Sequence, residues 1–217
     1  MQEIYSEQQA AKSASELQVS KVLRNTYTLL AITVAFSAIT ASISVAVNAP
    51  YFGLWSLLPY ALCLWMTEKN KNSTAGLFWV FALTGWLGFT LGPILSYYAS
   101  ANPDAIIMAL GGTALIFFGL SSYVLITKKD LSFMTGFLIT GIMVAFVASI
   151  ANYFLEIQAL GLVISSVFLL LSSGLIMWQT SQIIHGGETN YISATVTLYV
   201  MLYNIFTILL SFLGNDD

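Results

Sequence analysis

The stretch KVLRNTYTLLAITVAFSAITASISVAV, residues 21–47, sets the pattern that decides the fold. Lys21 and Arg24 precede an apolar run that can cross a bilayer, since a membrane-spanning helix needs roughly 20 mostly apolar residues. Further apolar runs follow, and every basic residue lies in one of three segments beside them: Lys12, Lys21 and Arg24; Lys69 and Lys71; Lys128 and Lys129. This alternation predicts an integral membrane protein whose basic segments share one side of the bilayer.

The composition excludes most other classes of protein. The 217 residues are 58% hydrophobic and 8% charged, whereas soluble domains carry about 25% charged residues. A disordered chain would be charged and poor in apolar residues. A nucleic-acid partner would require a basic surface, which a net charge of −3 does not provide. Cys63 is the only cysteine, so no intrachain disulfide can form.

Seven apolar runs predict an all-α, polytopic fold with seven transmembrane helices. They cover residues 26–47, 52–66, 75–98, 105–127, 131–155, 159–184 and 191–213. The connections are short, so neighbouring helices must run antiparallel. The second run is short and contains Pro59, which leaves a re-entrant or interfacial segment as the alternative. Counting it as a span places all seven basic residues on one side. Because Lys and Arg favour the cytoplasmic side, we expect a cytoplasmic N-terminus and a C-terminus outside, at Asp216 and Asp217.

Residues 1–25 differ from the rest of the chain. They are rich in Ser, Gln and Glu and poor in apolar residues, a composition typical of disorder. We therefore predict two parts: a mostly disordered cytoplasmic tail over residues 1–25 and a transmembrane domain over residues 26–217. The tail is either an unstructured end or a handle for a cytoplasmic partner.

Small residues mark helix faces that can pack closely. Gly85, Gly88 and Gly92 lie on one stripe of the third span. Gly88 and Gly92 have the spacing that lets two helix backbones approach, and Pro93 is expected to kink the helix. The first span has a small face of its own, at Ser37, Ala41 and Ser44. Because helices in lipid associate through close packing and hydrogen bonds, these faces predict a tight bundle.

Few side chains inside the predicted spans can carry chemistry. No Asp, Glu, Lys, Arg or His falls well inside any span, and the polar candidates are Asn152, Gln179 and Asn204. One His and one Cys cannot form a zinc site of Cys and His ligands, so we expect neither a metal centre nor a cofactor. A serine-protease pair of Ser173 with His185 is disfavoured, because His185 follows the same helix in a loop. His185 could instead report cytoplasmic pH, with Glu188 as its partner.

Two neighbouring spans carry the motif of a known family. Its residues are Gly88, Leu91, Gly92, Pro93 and Leu95, followed by Ala109, Thr113, Ala114 and Phe117. This pattern resembles the signature of the Bax inhibitor-1 (TMBIM) family, in which six helices surround a central seventh. The resemblance is closest to the bacterial YccA-like branch of that family. Matching stretches at residues 21–27 and 184–191 extend it over nearly the whole chain beyond the tail.

The family implies two activities, of which the first is a pH-gated calcium leak closed by aspartates on the sixth and seventh helices. Two carboxylates that share a site raise the pKa of one of them, so protonation can switch such a gate. At the matching positions this sequence has Gln179, after Trp178, and Met201. Gln179 cannot titrate, and the thioether of Met201 is a poor ligand for Ca²⁺, which prefers hard oxygens.

The second activity belongs to the YccA-like branch, whose members resemble inner-membrane modulators of FtsH, a membrane-anchored AAA protease. A polar cytoplasmic tail is something such a protease could grip, and a tightly packed bundle could resist extraction. We therefore expect a non-enzymatic protein of a bacterial inner membrane that binds and inhibits FtsH, with a periplasmic C-terminus. The alternative is a cation leak or transport pathway, possible for calcium, near Gln179, Met201, Asn204, His185 and Glu188.

Overall fold

Seven α-helices account for almost all of the described backbone. The computed structural model describes the backbone of residues 2–214 and the side chains of residues 14–214. The helices are α1 (Gln2–Ala46), α2 (Leu57–Asn70), α3 (Thr74–Ala101), α4 (Pro103–Thr127), α5 (Thr135–Leu155), α6 (Gln158–Ile184) and α7 (Tyr191–Gly214). Short 3₁₀ turns at Gly53–Ser56 and Ser132–Met134 precede α2 and α5, and the described backbone contains no strand. The prediction of an all-α fold is confirmed.

The first helix differs from its prediction, because helix replaces the disorder expected over residues 2–25. α1 runs from Gln2 to Ala46 without a break. Residues 1–46 contain neither Gly nor Pro, and the Gln, Glu, Lys, Ala and Leu residues near the N-terminus are good helix formers. The bundle also begins before the expected boundary at residue 25, since Val22 is buried against Ile183 and Ala194.

Six of the seven helices are long and apolar enough to cross a membrane within the described residues. The exception is α2, whose 14 residues extend about 21 Å against a hydrocarbon core about 30 Å thick. The 3₁₀ turn Gly53–Ser56 leads directly into α2 and lengthens this segment. The second predicted span, which corresponds to α2, is therefore shorter than a helix that crosses the hydrocarbon core.

The connection between α3 and α4 is tighter than predicted. Asn102 alone separates α3 from α4, where the sequence predicts a connection over residues 99–104. Pro103 suits the first position of a helix, and the side-chain oxygen of Asn102 accepts a hydrogen bond from the backbone N–H of Ala105 at 3.3 Å. Lys128 and Glu156 close α4 and α5 in the left-handed conformation, with φ angles of 51° and 54°. These caps end the helices sharply and hold their neighbours antiparallel.

The two faces of small residues pack against each other, α1 on α3. A Cβ atom added to Gly88 would stand 2.6 Å from the side-chain oxygen of Ser37, and closer still to the backbone oxygen of Ser37. A Cβ on Gly92 would overlap the side chain of Ser44. Pro93 lies inside α3 without ending it. The predicted close packing at Gly88 and Gly92 is therefore present, and glycine is required there by the approach of α1.

Helix α7 contacts α1, α3, α4 and α6, whereas α5 packs mainly on α6. Leu198 and Ile205 of α7 have no exposed surface and lie in the largest apolar core. Leu83 of α3 and Ile176 of α6 pack into the same core. α7 thus links the helices on both sides of the bundle.

Side-chain contacts join the basic segments at one end of the bundle. The amide nitrogen of Asn190, just before α7, donates to the backbone oxygen of Lys71 at 3.0 Å. The hydroxyl of Ser181, near the end of α6, donates to the backbone oxygen of Lys129 at 2.9 Å. Val22 of α1 packs at the same end. These contacts bring the three basic segments to the same end of the bundle.

Candidate functional site

Gln179 lies where the family's first aspartate is expected, and it is almost completely buried. Its side chain is 2% exposed on α6, and its amide nitrogen has no hydrogen-bond partner among the described residues. An unpaired buried amide costs about 1–3 kcal/mol, so Gln179 lowers the free energy of unfolding. Because an amide does not titrate, Gln179 cannot act as a proton-operated switch.

Met201 lies at the second aspartate position, on α7. Its side chain is 7% exposed and belongs to the largest apolar core, together with Leu198 and Ile205. α6 and α7 pack against each other, but the amide nitrogen of Gln179 has no hydrogen-bond partner among the described residues. The acid-pair positions therefore hold a buried amide and a buried thioether, rather than two carboxylates.

Two tyrosines of α7 make the polar contacts that the acid-pair positions do not make. The Tyr199 hydroxyl lies 2.5 Å from the Ser37 side-chain oxygen of α1 and 3.2 Å from the Thr84 backbone oxygen of α3. The Tyr203 hydroxyl lies 3.3 Å from the Thr90 hydroxyl of α3. Interhelical hydrogen bonds of this kind hold membrane helices together. The sequence reasoning missed both tyrosines, and the only available signal was two phenols four residues apart in an apolar run.

The signature residue Thr113 and the pathway candidate Asn204 make hydrogen bonds within their own helices. Thr113 is buried in α4, and its hydroxyl donates to the backbone oxygen of Ala109 within the same helix at 2.6 Å. Asn204 is half-buried on α7, and its backbone oxygen accepts a hydrogen bond from the Thr207 hydroxyl at 3.1 Å. Neither residue points to a ligand.

His185 lies at the basic end of the bundle, apart from the buried α6–α7 contact. Its side chain is exposed, and its ring Nδ1 lies 2.9 Å from the backbone oxygen of Ser181. Asp130 is the carboxylate that His185 influences: hydrogen bonds from Ser132 chiefly, and His185 to a smaller degree, lower the pKa of Asp130. His185 therefore belongs to a surface cluster of loop residues.

Ser181 makes the hydrogen bonds that hold this cluster together. It is fully buried, donates to Lys129, and accepts a hydrogen bond from the backbone N–H of Leu131 at 3.0 Å. These two bonds fix the connection between α4 and α5 on the end of α6. A serine four residues before the only histidine gave no recognisable signal in the sequence.

Glu188 is engaged with Asn190 rather than with His185. The Glu188 carboxylate accepts a hydrogen bond from the backbone N–H of Asn190 at 2.8 Å. The side-chain oxygen of Asn190 in turn accepts from the backbone N–H groups of Ile192 and Ser193, which caps α7. Of the five predicted pathway residues, Gln179 and Met201 are buried, Asn204 is half-buried, and His185 and Glu188 lie in the loop between α6 and α7.

Metal chemistry finds no support among the described residues, which contain no group of three or more His, Cys, Asp or Glu side chains able to hold an ion. The structure instead restrains helix movement. The restraints are the hydroxyl hydrogen bonds of α7, the glycine contacts between α1 and α3, and the hydrogen bonds that hold the α4–α5 connection.

Comparison with known proteins decides the family. The family model described as Inhibitor of apoptosis-promoting Bax1 matches residues 19–217. The chain belongs to the Bax inhibitor-1 family. The membership predicted from the motif at residues 88–117 is thereby confirmed.

Relatives in the family are similar over most of their length. The chain is 56% identical over 203 residues, 92% of both chains, to the Modulator of FtsH protease YccA of Escherichia coli K12. It is equally similar to a protein of Escherichia coli O6:H1 named Inner membrane protein YccA. An uncharacterized membrane protein of Vibrio cholerae is 44% identical over 208 residues, 93% of both chains.

Proposed function

We propose that this Bax inhibitor-1 family protein is a non-enzymatic, multi-pass protein of a bacterial inner membrane that binds and inhibits the protease FtsH. The observation that carries the proposal is the 56% identity, over 92% of both chains, to a protein named as a modulator of that protease. The acid-pair positions support it indirectly, because Gln179 and Met201 lack the carboxylates that a calcium gate would use.

The packing suggests how such an inhibitor would work. A protease that removes proteins from a membrane must separate their helices. Here α1 lies against the backbone of α3 at Gly88 and Gly92, and Tyr199 bridges α7 to both helices. Close backbone approach and interhelical hydrogen bonds stabilise membrane bundles. FtsH would extract such a chain slowly, and the chain would occupy the protease during that time.

The first helix supplies a handle for the partner. α1 extends about 30 Å from Gln2 to Val22, which is the first buried residue among the described side chains. Leu17 in this segment is 72% exposed. The proposal places this segment and the basic end in the cytoplasm, the C-terminus in the periplasm, and α7 at the centre of six helices, as in the family. The contacts of α7 with α1, α3, α4 and α6 support that centre.

Co-purification from native membranes tests the proposal. The full-length protein should bring down FtsH, and a variant that lacks residues 2–20, which keeps the buried Val22, should recover less of it. A control substitution, His185→Gln, should recover as much FtsH as the wild type, since His185 lies in the loop between α6 and α7 and not in the N-terminal segment of α1. Absence of FtsH from the full-length sample would refute the proposal.

A second candidate function is a cation leak along α6 and α7. The unpaired amide of Gln179 favours it, because buried polar groups inside a membrane are expected along transport pathways. Flux of calcium into liposomes tests it. The wild type should show no pH-dependent flux, and Gln179→Asp with Met201→Asp should introduce pH sensitivity by restoring two carboxylates. pH-dependent flux through the wild type would favour the leak over the modulator.

A further inference from the structure

The connection between α1 and α2 meets the bundle near the middle of α3. The indole Nε1 of Trp86 donates to the backbone oxygen of Ser56 at 3.0 Å, and the ring of Phe52 lies 5.3 Å from the ring of Trp86. Along α3, Trp86 is about 18 Å from Thr74 at the basic end and about 22 Å from Ala101 at the opposite end. The start of α2 therefore lies far below the level at which α3 ends.

The chain at this depth is irregular and exposed. Asn48 and Gly53 have φ angles of 49° and 52°, so no regular helix joins α1 to α2. Within the described backbone, the N–H groups of Tyr51 and Phe52 donate to no other backbone oxygen, and the side chain of Tyr51 is 72% exposed. Irregular backbone does not occur in contact with hydrocarbon, because each unpaired polar group there costs several kcal/mol. Water or lipid headgroups must therefore reach this connection.

The lipid-facing side chains indicate an uneven hydrocarbon layer. On α4, exposed apolar side chains extend from Ile107 to Ile126, about 28 Å, which matches an ordinary hydrocarbon core. Trp55 and Trp65 are also exposed, but they are only about 15 Å apart along the α2 segment. Tryptophan favours the membrane–water interface, and the Nζ atom of Lys69 lies 5.1 Å from the centre of the Trp65 ring. The two tryptophans thus mark interfaces that lie much closer together than those beside α4.

We propose that the bilayer is thinned beside α2, to about 15–20 Å, so that water and headgroups opposite the basic end reach residues 51–55. A bilayer can adapt to a short helix by thinning around it. The 14 residues of α2 are then long enough to cross the local hydrocarbon. This inference does not rest on the proposed binding of FtsH, and the experiment below contains no protease.

Cysteine labelling measures the depth of the connection. Trp55→Cys is compared with Leu115→Cys, since both native side chains are 77% exposed and Leu115 lies at the middle of α4. Each variant is reconstituted into phosphatidylethanolamine and phosphatidylglycerol vesicles, which are frozen and thawed with a charged maleimide so that the reagent reaches both faces. The wild type, whose Cys63 is buried, supplies the blank.

Trp55→Cys should react at least about tenfold faster than Leu115→Cys, because hydrocarbon raises the pKa of a thiol and one pKa unit lowers the reactive thiolate about tenfold. Equal rates for the two variants would overturn the proposal.

Two further positions complete the test. Tyr51→Cys should react as fast as Trp55→Cys, and it decides the matter if removal of the tryptophan prevents folding; protection of Tyr51→Cys would contradict the proposal. Leu62→Cys should be protected like Leu115→Cys, because the exposed Leu62 lies between the two tryptophans. Rapid reaction of Leu62→Cys would place α2 outside the hydrocarbon and would also contradict a thinned bilayer that α2 crosses.

Discussion

Replacing Gly88 by alanine should weaken the bundle at its closest helix contact. The new Cβ would stand 2.6 Å from the side-chain oxygen of Ser37, and closer to the backbone oxygen of Ser37 and the hydroxyl of Thr40. Real Cβ contacts almost never fall below 3.0 Å, and ordinary contacts begin near 3.4 Å. Side chains can rotate away, but a backbone oxygen moves only with its helix. α1 and α3 must therefore separate by at least about half an ångström.

The expected cost follows from this displacement. Overpacking a well-packed core costs about 1–3 kcal/mol, while the higher helix propensity of alanine returns at most about 1 kcal/mol. At Gly85 the obstacle is only the ring of Phe36, at 2.8 Å, which can turn. Gly119 of α4 has no atom within 4 Å of an added Cβ. The predicted order of destabilisation is Gly88→Ala, then Gly85→Ala, with Gly119→Ala neutral or slightly stabilising.

Thermal unfolding of the purified variants in detergent measures the order. A loss of 1–3 kcal/mol corresponds to a melting temperature lower by about 2–12 °C for a chain of this size. Gly119→Ala is the matched control, because it makes the same chemical change on a lipid-facing surface. Equal melting temperatures for Gly88→Ala and Gly119→Ala would refute the reasoning that backbone contact between α1 and α3 holds the bundle together.

Three further changes test the polar contacts. Tyr199→Phe removes the hydroxyl bridge to Ser37 and should lower the free energy of unfolding by about 0.5–2 kcal/mol, measured by steric trapping in bicelles. Ser181→Ala removes both bonds that pin the α4–α5 connection, so hydrogen–deuterium exchange at the amide of Leu131 should become faster while α7 is unaffected. Asn190→Ala removes the cap of α7 and should cost about 0.5–2 kcal/mol, seen as a lower melting temperature, whereas unchanged stability would mean that water replaces the cap.

Helix positions could be predicted because each membrane span is a long apolar run with a known minimum length. The ends were harder to place. The predicted connection at residues 99–104 shrinks to Asn102, because a proline that starts one helix and an asparagine that caps it leave no loop between them. The polar segment before residue 26 is helical and belongs to α1. The prediction of disorder was wrong because composition alone does not distinguish a solvated helix from a disordered tail.

The packing faces could be recognised, but their pairing could not. Gly88 and Ser37 each lie on a visible stripe of small residues, yet a single sequence does not show which stripe meets which. The same limit hid the bridge from Tyr199 to Ser37, whose partners are 162 residues apart. At the acid-pair positions, the absence of carboxylates is evident from the sequence itself. Whether the amide of Gln179 finds a hydrogen-bond partner depends on the side chains that surround it in the fold, which the sequence does not show.

The most direct test of the proposed inhibition is the rate at which FtsH degrades a membrane substrate in proteoliposomes. Purified FtsH is reconstituted with that substrate and ATP, with and without this protein in equal amounts. An inhibitor predicts slower loss of the substrate when the full-length protein is present, and weaker slowing by a variant that lacks residues 2–20. An unchanged degradation rate across both additions would contradict the proposed function.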